Sequence, residues 1–252
     1  MRRRSVLLRP EARTSELPGG WLCGKPGGDG QETPSYSIDR IYWFDPDRPI
    51  GPEEVAEAVT SARNLDLPRV FVWLSPWVWT DRTERALTQA GGRTWPFVDY
   101  VALARAAAAV EPPRPCKFTT RRLAAPEVAG VLSRTAPWFP TELADFAERL
   151  AGQGITDVYA SFSGSAPAAV GLVTRTDSWA YLGPAFTDPA FRGRGAQSAL
   201  IAARVSGAAA AGSTWVASET NSMVPISLRN LQTLGFVETV VWRVLVLDLP
   251  TA

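Results

Sequence analysis

Residues 181–200 constrain the fold more than any other stretch of the chain. An apolar run ends near Thr187, the basic and glycine-rich sequence RGRG follows at 192–195, and an alanine-rich helical pattern begins at Ala196. Glycine lets a backbone turn sharply, and the first turn of a helix leaves N–H groups without partners. Because the helix dipole adds positive charge at that end, a strand, turn and helix of this kind are typical of a phosphate-binding site.

Two other phosphate-binding motifs do not fit this turn. A P-loop needs Gly-Lys-Ser/Thr, whereas Gly195 is followed by Ala196 and Gln197, so the lysine and hydroxyl used with magnesium nucleotides are missing. The dinucleotide fingerprint Gly-x-Gly-x-x-Gly needs a third glycine where Ser198 stands. We therefore exclude both classes of nucleotide site.

Proline-rich residues 111–115 divide the chain. They cannot continue a helix and favour an extended linker between a first segment, residues 35–110, and a second segment, residues 116–252. Residues 1–34 are rich in glycine, proline and charge, and we expect a loosely ordered N-terminal arm there.

Periodicity predicts the elements of both segments. The first segment is predicted as β-α-β-α-β, with strands over 41–44, 69–75 and 95–104 and helices over 53–64 and 80–90. The second is predicted as β-α-α-β-β-β-α-β-α-β, with strands over 117–123, 156–163, 168–176, 179–187, 214–219 and 236–249 and helices over 126–135, 140–151, 196–211 and 226–234.

The first segment contains a degenerate partial repeat of the second. The pattern Asp-Pro-x-Arg-x-x-Gly at 45–51 corresponds to residues 188–195, if one inserted residue is allowed. In the first copy, Pro49 and Pro52 each remove a backbone N–H donor. We infer a half-copy that cannot bind the ligand of the second copy; chance agreement between alanine-rich helices is the alternative.

Residues 192–197, RGRGAQ, resemble the signature Arg/Gln-x-x-Gly-x-Gly/Ala of the GNAT superfamily of N-acetyltransferases, although Gln197 stands where a small residue is usual. Residues 227–236, SLRNLQTLGF, are similar to the last helix of that family and the Gly-Phe turn after it. The resemblance covers about 116–250. It implies an α/β (α+β) fold with a mixed, mostly antiparallel sheet flanked by helices, preceded here by the smaller half-copy.

The resemblance also implies acyl transfer from coenzyme A, with acetyl-CoA as the expected cosubstrate. Backbone N–H groups of the turn would hold the pyrophosphate, and the preceding strand would pair with the pantetheine arm. The cofactor-binding residues expected from it are Ala185, Phe186, Thr187, Arg192, Gly193, Arg194, Gly195, Ala196, Gln197 and Asn230.

Glu219 and Ser227 are the candidate catalytic residues. Glu219 ends a strand that is expected to splay from its neighbour beside the thioester, where a carboxylate could accept a proton from an amine through water; a merely solvated strand end is the alternative. The family's usual acid is a tyrosine in the last helix, but Leu231 stands there. This departure leaves Ser227 or Tyr181 as the acid, or an inactive protein.

Composition removes several other chemistries. The chain has no histidine, which excludes Ser-His-Asp and Cys-His triads and nearly every zinc site that uses histidine. Two cysteines, Cys23 and Cys116, cannot supply a four-thiolate cage. We interpret them as buried thiols or one pair in a reducing compartment, and we expect no metal.

Charge and hydropathy argue against two classes of partner. With 26 Lys and Arg against 25 Asp and Glu, the net charge is +1, and no basic stripe points to nucleic acid. The apolar run near the N-terminus spans only residues 6–8, which is too short for an export signal. No stretch of the sequence approaches the ~20 apolar residues of a membrane span, so we expect a cytoplasmic protein with no membrane partner.

Two functions from different classes stay open. The first is an acyl-CoA-dependent N-acyltransferase acting on a small amine. The second is a non-catalytic acyl-CoA-binding protein of the same fold, which the missing tyrosine favours. The sequence leaves the acceptor, the length of the acyl group and the oligomeric state open, a homodimer included.

Overall fold

The computed structural model describes residues 12–27, 39–112, 117–137, 141–176 and 178–249. Its elements, in chain order, are β1 (Arg13–Leu17), β2 (Gly20–Gly24), β3 (Arg40–Trp43), α1 (Pro52–Arg63), β4 (Arg69–Leu74), α2 (Asp81–Gln89), β5 (Arg93–Ala106), β6 (Thr119–Arg122), α3 (Val128–Thr135), α4 (Thr141–Gly152), β7 (Thr156–Ser163), β8 (Ala166–Thr176), β9 (Trp179–Thr187), α5 (Ala196–Ala210), β10 (Trp215–Asn221), α6 (Pro225–Thr233) and β11 (Val237–Asp248). None of the helices in these ranges is long and apolar enough to cross a membrane.

The described residues form two compact units. Unit 1 contains those up to residue 101, residues 221–223 and those from residue 240 onward, and unit 2 contains residues from 102 to 220 and 224–239. In unit 1, the strand order is β1-β2-β3-β4-β11, and only β3 and β4 among these neighbours run parallel. Helix α1 packs through Val55, Ala58 and Ala62 on a core that includes Ile41 and Val72.

Residues 12–27 contain a β-hairpin where the sequence predicted a loosely ordered arm. Pro18 and Gly19 make its turn, and Gly19 has a φ of +72°, which glycine adopts without strain. The second strand of the hairpin also pairs with β3, and Leu22 and Cys23 are fully buried. The prediction failed because β2 has glycine at both ends, which obscures the alternation of a strand. Residues 1–11 and 28–34 of the predicted arm lie outside the described residues.

Unit 2 has the predicted β-α-α-β-β-β-α-β-α-β order up to the start of β11. From the end of β5 the strand order is β5-β10-β9-β8-β7-β6, in which β9 and β10 are parallel and β6 to β9 are antiparallel. Helices α3 and α4 pack on the face that presents Val170, and α5 packs on the opposite face, which presents Ala169. The predicted fold class, a mixed and mostly antiparallel sheet flanked by helices, is confirmed.

The units differ from the predicted segments at two strands. The second half of β11 pairs with β4 and belongs to unit 1, whereas residues 102–106 of β5 belong to unit 2. Periodicity shows which face of a strand is buried but not which strand it pairs with, so sequence adjacency misplaced both. Residues 113–115 of the predicted linker lie outside the described ranges, and the half-copy stays a prediction.

Replacing Gly20 by alanine tests whether the hairpin is packed. A Cβ atom at residue 20 would overlap the backbone carbonyl of Tyr42, so we expect Gly20→Ala to lower the free energy of unfolding by about 1–3 kcal/mol. The matched control is Gly130→Ala in α3, where the nearest atom would be 3.7 Å away and the change should add about 0.5–1 kcal/mol. Urea unfolding followed by circular dichroism measures both; equal stability of Gly20→Ala and wild type would contradict a packed hairpin.

Candidate active site

The turn between β9 and α5 is shaped by one aspartate and two glycines. The Asp188 carboxylate accepts a hydrogen bond from the Ala190 N–H at 2.8 Å and starts a short 3-10 turn. Gly193 and Gly195 follow with φ of +72° and +89°, the left-handed region that favours glycine. The chain thereby reverses into α5, whose N-cap Gly195 has no side chain to bond the first turn of the helix.

The backbone N–H groups of residues 193–198 have no acceptor within the part of the chain that the structure describes. On one side of this row, the Arg192 N–H bonds to the Pro189 carbonyl; on the other, the Ala199 N–H bonds to the Gly195 carbonyl. The row lies at the positive end of the α5 dipole. Such a set of donors is suited to an anion.

Three exposed arginines, Arg192, Arg194 and Arg229, accompany these donors. None of them forms an ion pair with a carboxylate among the described residues. The Arg194 guanidinium lies 6.0 Å from the ring centre of Phe191. Arg229 is not among the residues that the sequence assigned to the cofactor; its helical spacing from Ile226 and Thr233, on the face that also carries Asn230, is the signal that could have found it.

An open cavity of about 900 Å³ borders the turn. Every residue that the sequence assigned to a cofactor lines it, together with Ser227. Asn230 donates a hydrogen bond from Nδ2 to Oε1 of Gln197 at 2.7 Å, which joins α6 to the start of α5. Thr135 and Pro137, at the end of α3, contribute a wall that the sequence did not predict. The structure thus brings the predicted cofactor residues together, while their roles stay predictions.

Strand β9 contains a β-bulge beside this cavity. Residues 183 and 184 together face the single residue Leu172 of β8, while their neighbours pair one to one. Pro184 has no N–H to give to a strand ladder, and a bulge bends the strand that carries it.

Beyond the bulge, β9 has no pairing with β10. The parallel pairs run from Trp179 with Trp215 to Leu182 with Ser218 and stop there, although β9 continues for five more residues. Residues 185–187 still pair with β8 on their other side. The Asp188 N–H bonds to the Ala168 carbonyl, and main-chain groups alternate along a strand, so those of Ala185 and Thr187 point toward the gap left by β10. This open edge lines the cavity, and its Thr187 carbonyl accepts from Nε of Arg192 at 3.4 Å.

Glu219 directly follows Ser218, the last residue of β10 that pairs with β9. The Tyr181 hydroxyl donates a hydrogen bond to Oε2 of Glu219 at 3.0 Å. Because side chains alternate along a strand, Glu219 and Tyr181 share the face opposite α5, whereas Leu182 and Ser218 point toward it. Glu219 is not among the cavity-lining residues, so the structure does not place it in one wall with Ser227.

The last helix supplies no tyrosine to the cavity. Leu231, which occupies the position of the usual acid, is only 3% exposed and packs in the interior. Ser227 is half-buried and lines the cavity, so its hydroxyl remains the predicted proton donor on this helix.

No protein-family model and no curated protein sequence matches the chain, but solved structures do. A GCN5-related N-acetyltransferase from Kribbella flavida is 16% identical, with a TM-score of 0.71 over 99% of this chain and 95% of that chain. A tandem GNAT protein from the clavulanic acid biosynthesis pathway is 12% identical, with a TM-score of 0.65 over 96% and 85%. A GCN5-related N-acetyltransferase from Sphaerobacter thermophilus is 13% identical, with a TM-score of 0.64 over 93% and 82%.

These likenesses confirm, at the level of the fold, the resemblance carried by residues 192–197 and 227–236. At such identities they extend to the fold alone. Over nearly its whole length, the chain has the fold of the GNAT acetyltransferases.

Proposed function

We propose that the protein is an N-acetyltransferase of the GNAT family that transfers an acyl group, with acetyl as the expected group, from coenzyme A to a small amine. The observation that carries the proposal is a row of unpartnered N–H donors next to an open strand edge in one cavity. The row of donors matches the charged phosphate end of coenzyme A, and the open strand edge matches its amide-bearing arm.

The turn would hold the phosphate end. N–H groups of residues 193–198 would donate to the pyrophosphate, and the arginines at 192, 194 and 229 would offset its charge. Hydrogen bonds to an ionised group are about twice as strong as those between neutral groups. The absence of carboxylate partners for these arginines among the described residues supports this assignment, because their charge is not already compensated.

The edge of β9 would hold the arm. Main-chain groups of Ala185 and Thr187 face the gap that opens after the last pair with β10, and an extended ligand with amide groups can add to such an edge as an extra strand. The arm would then direct the thioester toward the point where the two strands diverge, which is also where Glu219 follows the last pair.

Glu219 would accept a proton from the attacking amine through a water molecule. An amine has to be neutral to attack a thioester, and a carboxylate at the strand end could take up the proton that the amine loses. The Tyr181 hydroxyl donates to Oε2 of Glu219 and so holds the carboxylate in place at the strand end. A thiol has an ordinary pKa of ~8.5, so the departing thiolate needs little help, and Ser227 is the candidate proton donor.

A second candidate function is acyl-CoA binding without turnover. The buried Leu231 at the position of the usual acid favours it. Release of free thiol from acetyl-CoA in the presence of a panel of amines distinguishes the two functions, because both bind the cofactor and only the enzyme consumes it.

We also propose that unit 1 does not bind a second cofactor. At the turn that corresponds to residues 192–195, Pro49 and Pro52 have no N–H, and the N–H of Gly51 is already bound by the Glu54 carboxylate at 2.8 Å. Ile50, between them, is fully buried. This turn therefore presents fewer N–H donors than the turn before α5.

Replacing Gly195 by valine tests the cofactor site. A β-branched residue at a φ of +89° is strained by about 1–2 kcal/mol and would fill the approach to the donors, so we expect the affinity for coenzyme A to fall about tenfold or more. The matched control is Gly212→Val at the other end of α5, which has the same φ and should leave affinity unchanged. Calorimetric titration measures both and should give one coenzyme A per wild-type chain; unchanged affinity in folded Gly195→Val would overturn the assignment.

Replacing Glu219 by glutamine tests the proposed base. With an amine that supports turnover, we expect kcat to fall by roughly 10²–10⁴-fold, the usual effect of losing a general base, while coenzyme A binds as before. Glu238→Gln, which changes an exposed carboxylate on β11, is the control and should keep full activity. A Glu219→Gln rate equal to wild type at saturating amine would remove Glu219 from the mechanism and leave the cofactor site standing.

A further inference from the structure

We propose that Arg204 is a positioning residue whose buried guanidinium holds the bulge of β9 and so keeps the strand edge at Ala185 and Thr187 in place for the arm of coenzyme A. The inference rests on the proposed function, because it assigns the arm of that cofactor to this edge. Nothing in the GNAT-like motifs of the sequence involves Arg204.

Arg204 contacts the bulge directly. It is only 2% exposed and is the one charged residue in α5. Its Nη1 donates to the carbonyl oxygens of Leu172, at 3.2 Å, and Gly183, at 3.3 Å. These carbonyls belong to the residues at which the one-to-one pairing of β8 and β9 breaks. The bulge interrupts the regular hydrogen bonding between β8 and β9 at these two residues. The guanidinium thus supplies a donor to their carbonyl oxygens.

The position is otherwise unfavourable for an arginine. Within the described residues no carboxylate pairs with Arg204, and its Nε has no hydrogen-bond partner. Burial lowers the pKa of this guanidinium to about 10. A charge buried without a counter-ion opposes folding, so stability alone does not explain the residue, and the two carbonyls at the bulge are the contacts that its charge serves.

Gly171 leaves the space that the guanidinium occupies. A Cβ atom at residue 171 would lie 2.9 Å from Nη1 of Arg204 and 3.1 Å from Cβ of Ala185. Gly171 is also the strand partner of Ala185. The guanidinium therefore lies next to the first residue of the open edge as well as at the bulge.

Loss of the guanidinium should affect the two ends of the cofactor differently. Without it, the carbonyls of Leu172 and Gly183 need other donors, and a shift of β9 to find them moves the edge that follows. The donors at 193–198 depend on the glycine turn and the helix start instead. We therefore expect weaker binding of the arm and unchanged binding of the phosphate end.

Titration of Arg204→Met with coenzyme A and with adenosine 3′-phosphate 5′-diphosphate, the phosphate end without its arm, tests this. Methionine has a similar length but no charge or donor. We expect coenzyme A to bind about tenfold more weakly and the fragment to bind within about twofold of wild type. Arg204→Lys, which keeps a donor, should restore most of the affinity for coenzyme A. The exposed Arg63→Met in α1 is the control and should change neither affinity.

A second variant, at Gly171, tests the position of the Arg204 guanidinium rather than its presence. Gly171→Ala displaces the guanidinium without removing it and should give the same selective loss for coenzyme A. Equal losses for coenzyme A and the fragment in these variants would indicate general disruption and overturn the inference, as would unchanged affinity for coenzyme A in Arg204→Met. A wild-type protein that binds neither ligand would instead overturn the proposed function and, with it, the ligand of the edge.

Discussion

The interrupted pairing between β9 and β10 is the constraint on which the candidate site depends. A parallel pair normally continues as long as both strands do, yet here it ends at Leu182 and Ser218, next to the bulge and Pro184. The interruption creates an open edge inside a sheet, where main-chain groups are otherwise paired. It also leaves Glu219 directly beyond the last pair, so one backbone irregularity sets both the proposed arm site and the proposed base.

The glycine turn lies next to that edge and adds a second feature to the site, a row of backbone N–H donors. The two glycines at positive φ reverse the chain so that α5 starts without a side-chain cap, and its N–H groups stay available. Arginine charge around the turn, the open edge before it and the polar pair Asn230 and Gln197 across the cavity then surround one volume. In unit 1 the turn over residues 48–52 contains two prolines, and its Gly51 N–H is bonded to the Glu54 carboxylate.

Features that depend on neighbouring residues in the sequence could be predicted. Features that depend on the pairing of strands far apart in the sequence could not. The turn at 192–197 and the element order around it are local patterns, and the structure has both. The hairpin in residues 12–27 was missed because glycine obscured its alternation, and the assignment of β5 and β11 to units was missed because pairing partners leave no local signal. Arg204 carried a signal, a lone charge in an alanine-rich helix, but only the bulge explains what that charge contacts.

Hydrogen exchange with and without coenzyme A tests the central claim most directly. N–H groups without protein acceptors exchange quickly, and a bound phosphate and arm would protect them. We predict that coenzyme A slows exchange at residues 193–198 and at Ala185 and Thr187 and leaves Ile50 and Gly51 in the unit 1 turn unchanged. Unaltered exchange throughout 185–198 at a saturating concentration of coenzyme A, or protection confined to the unit 1 turn, would contradict it.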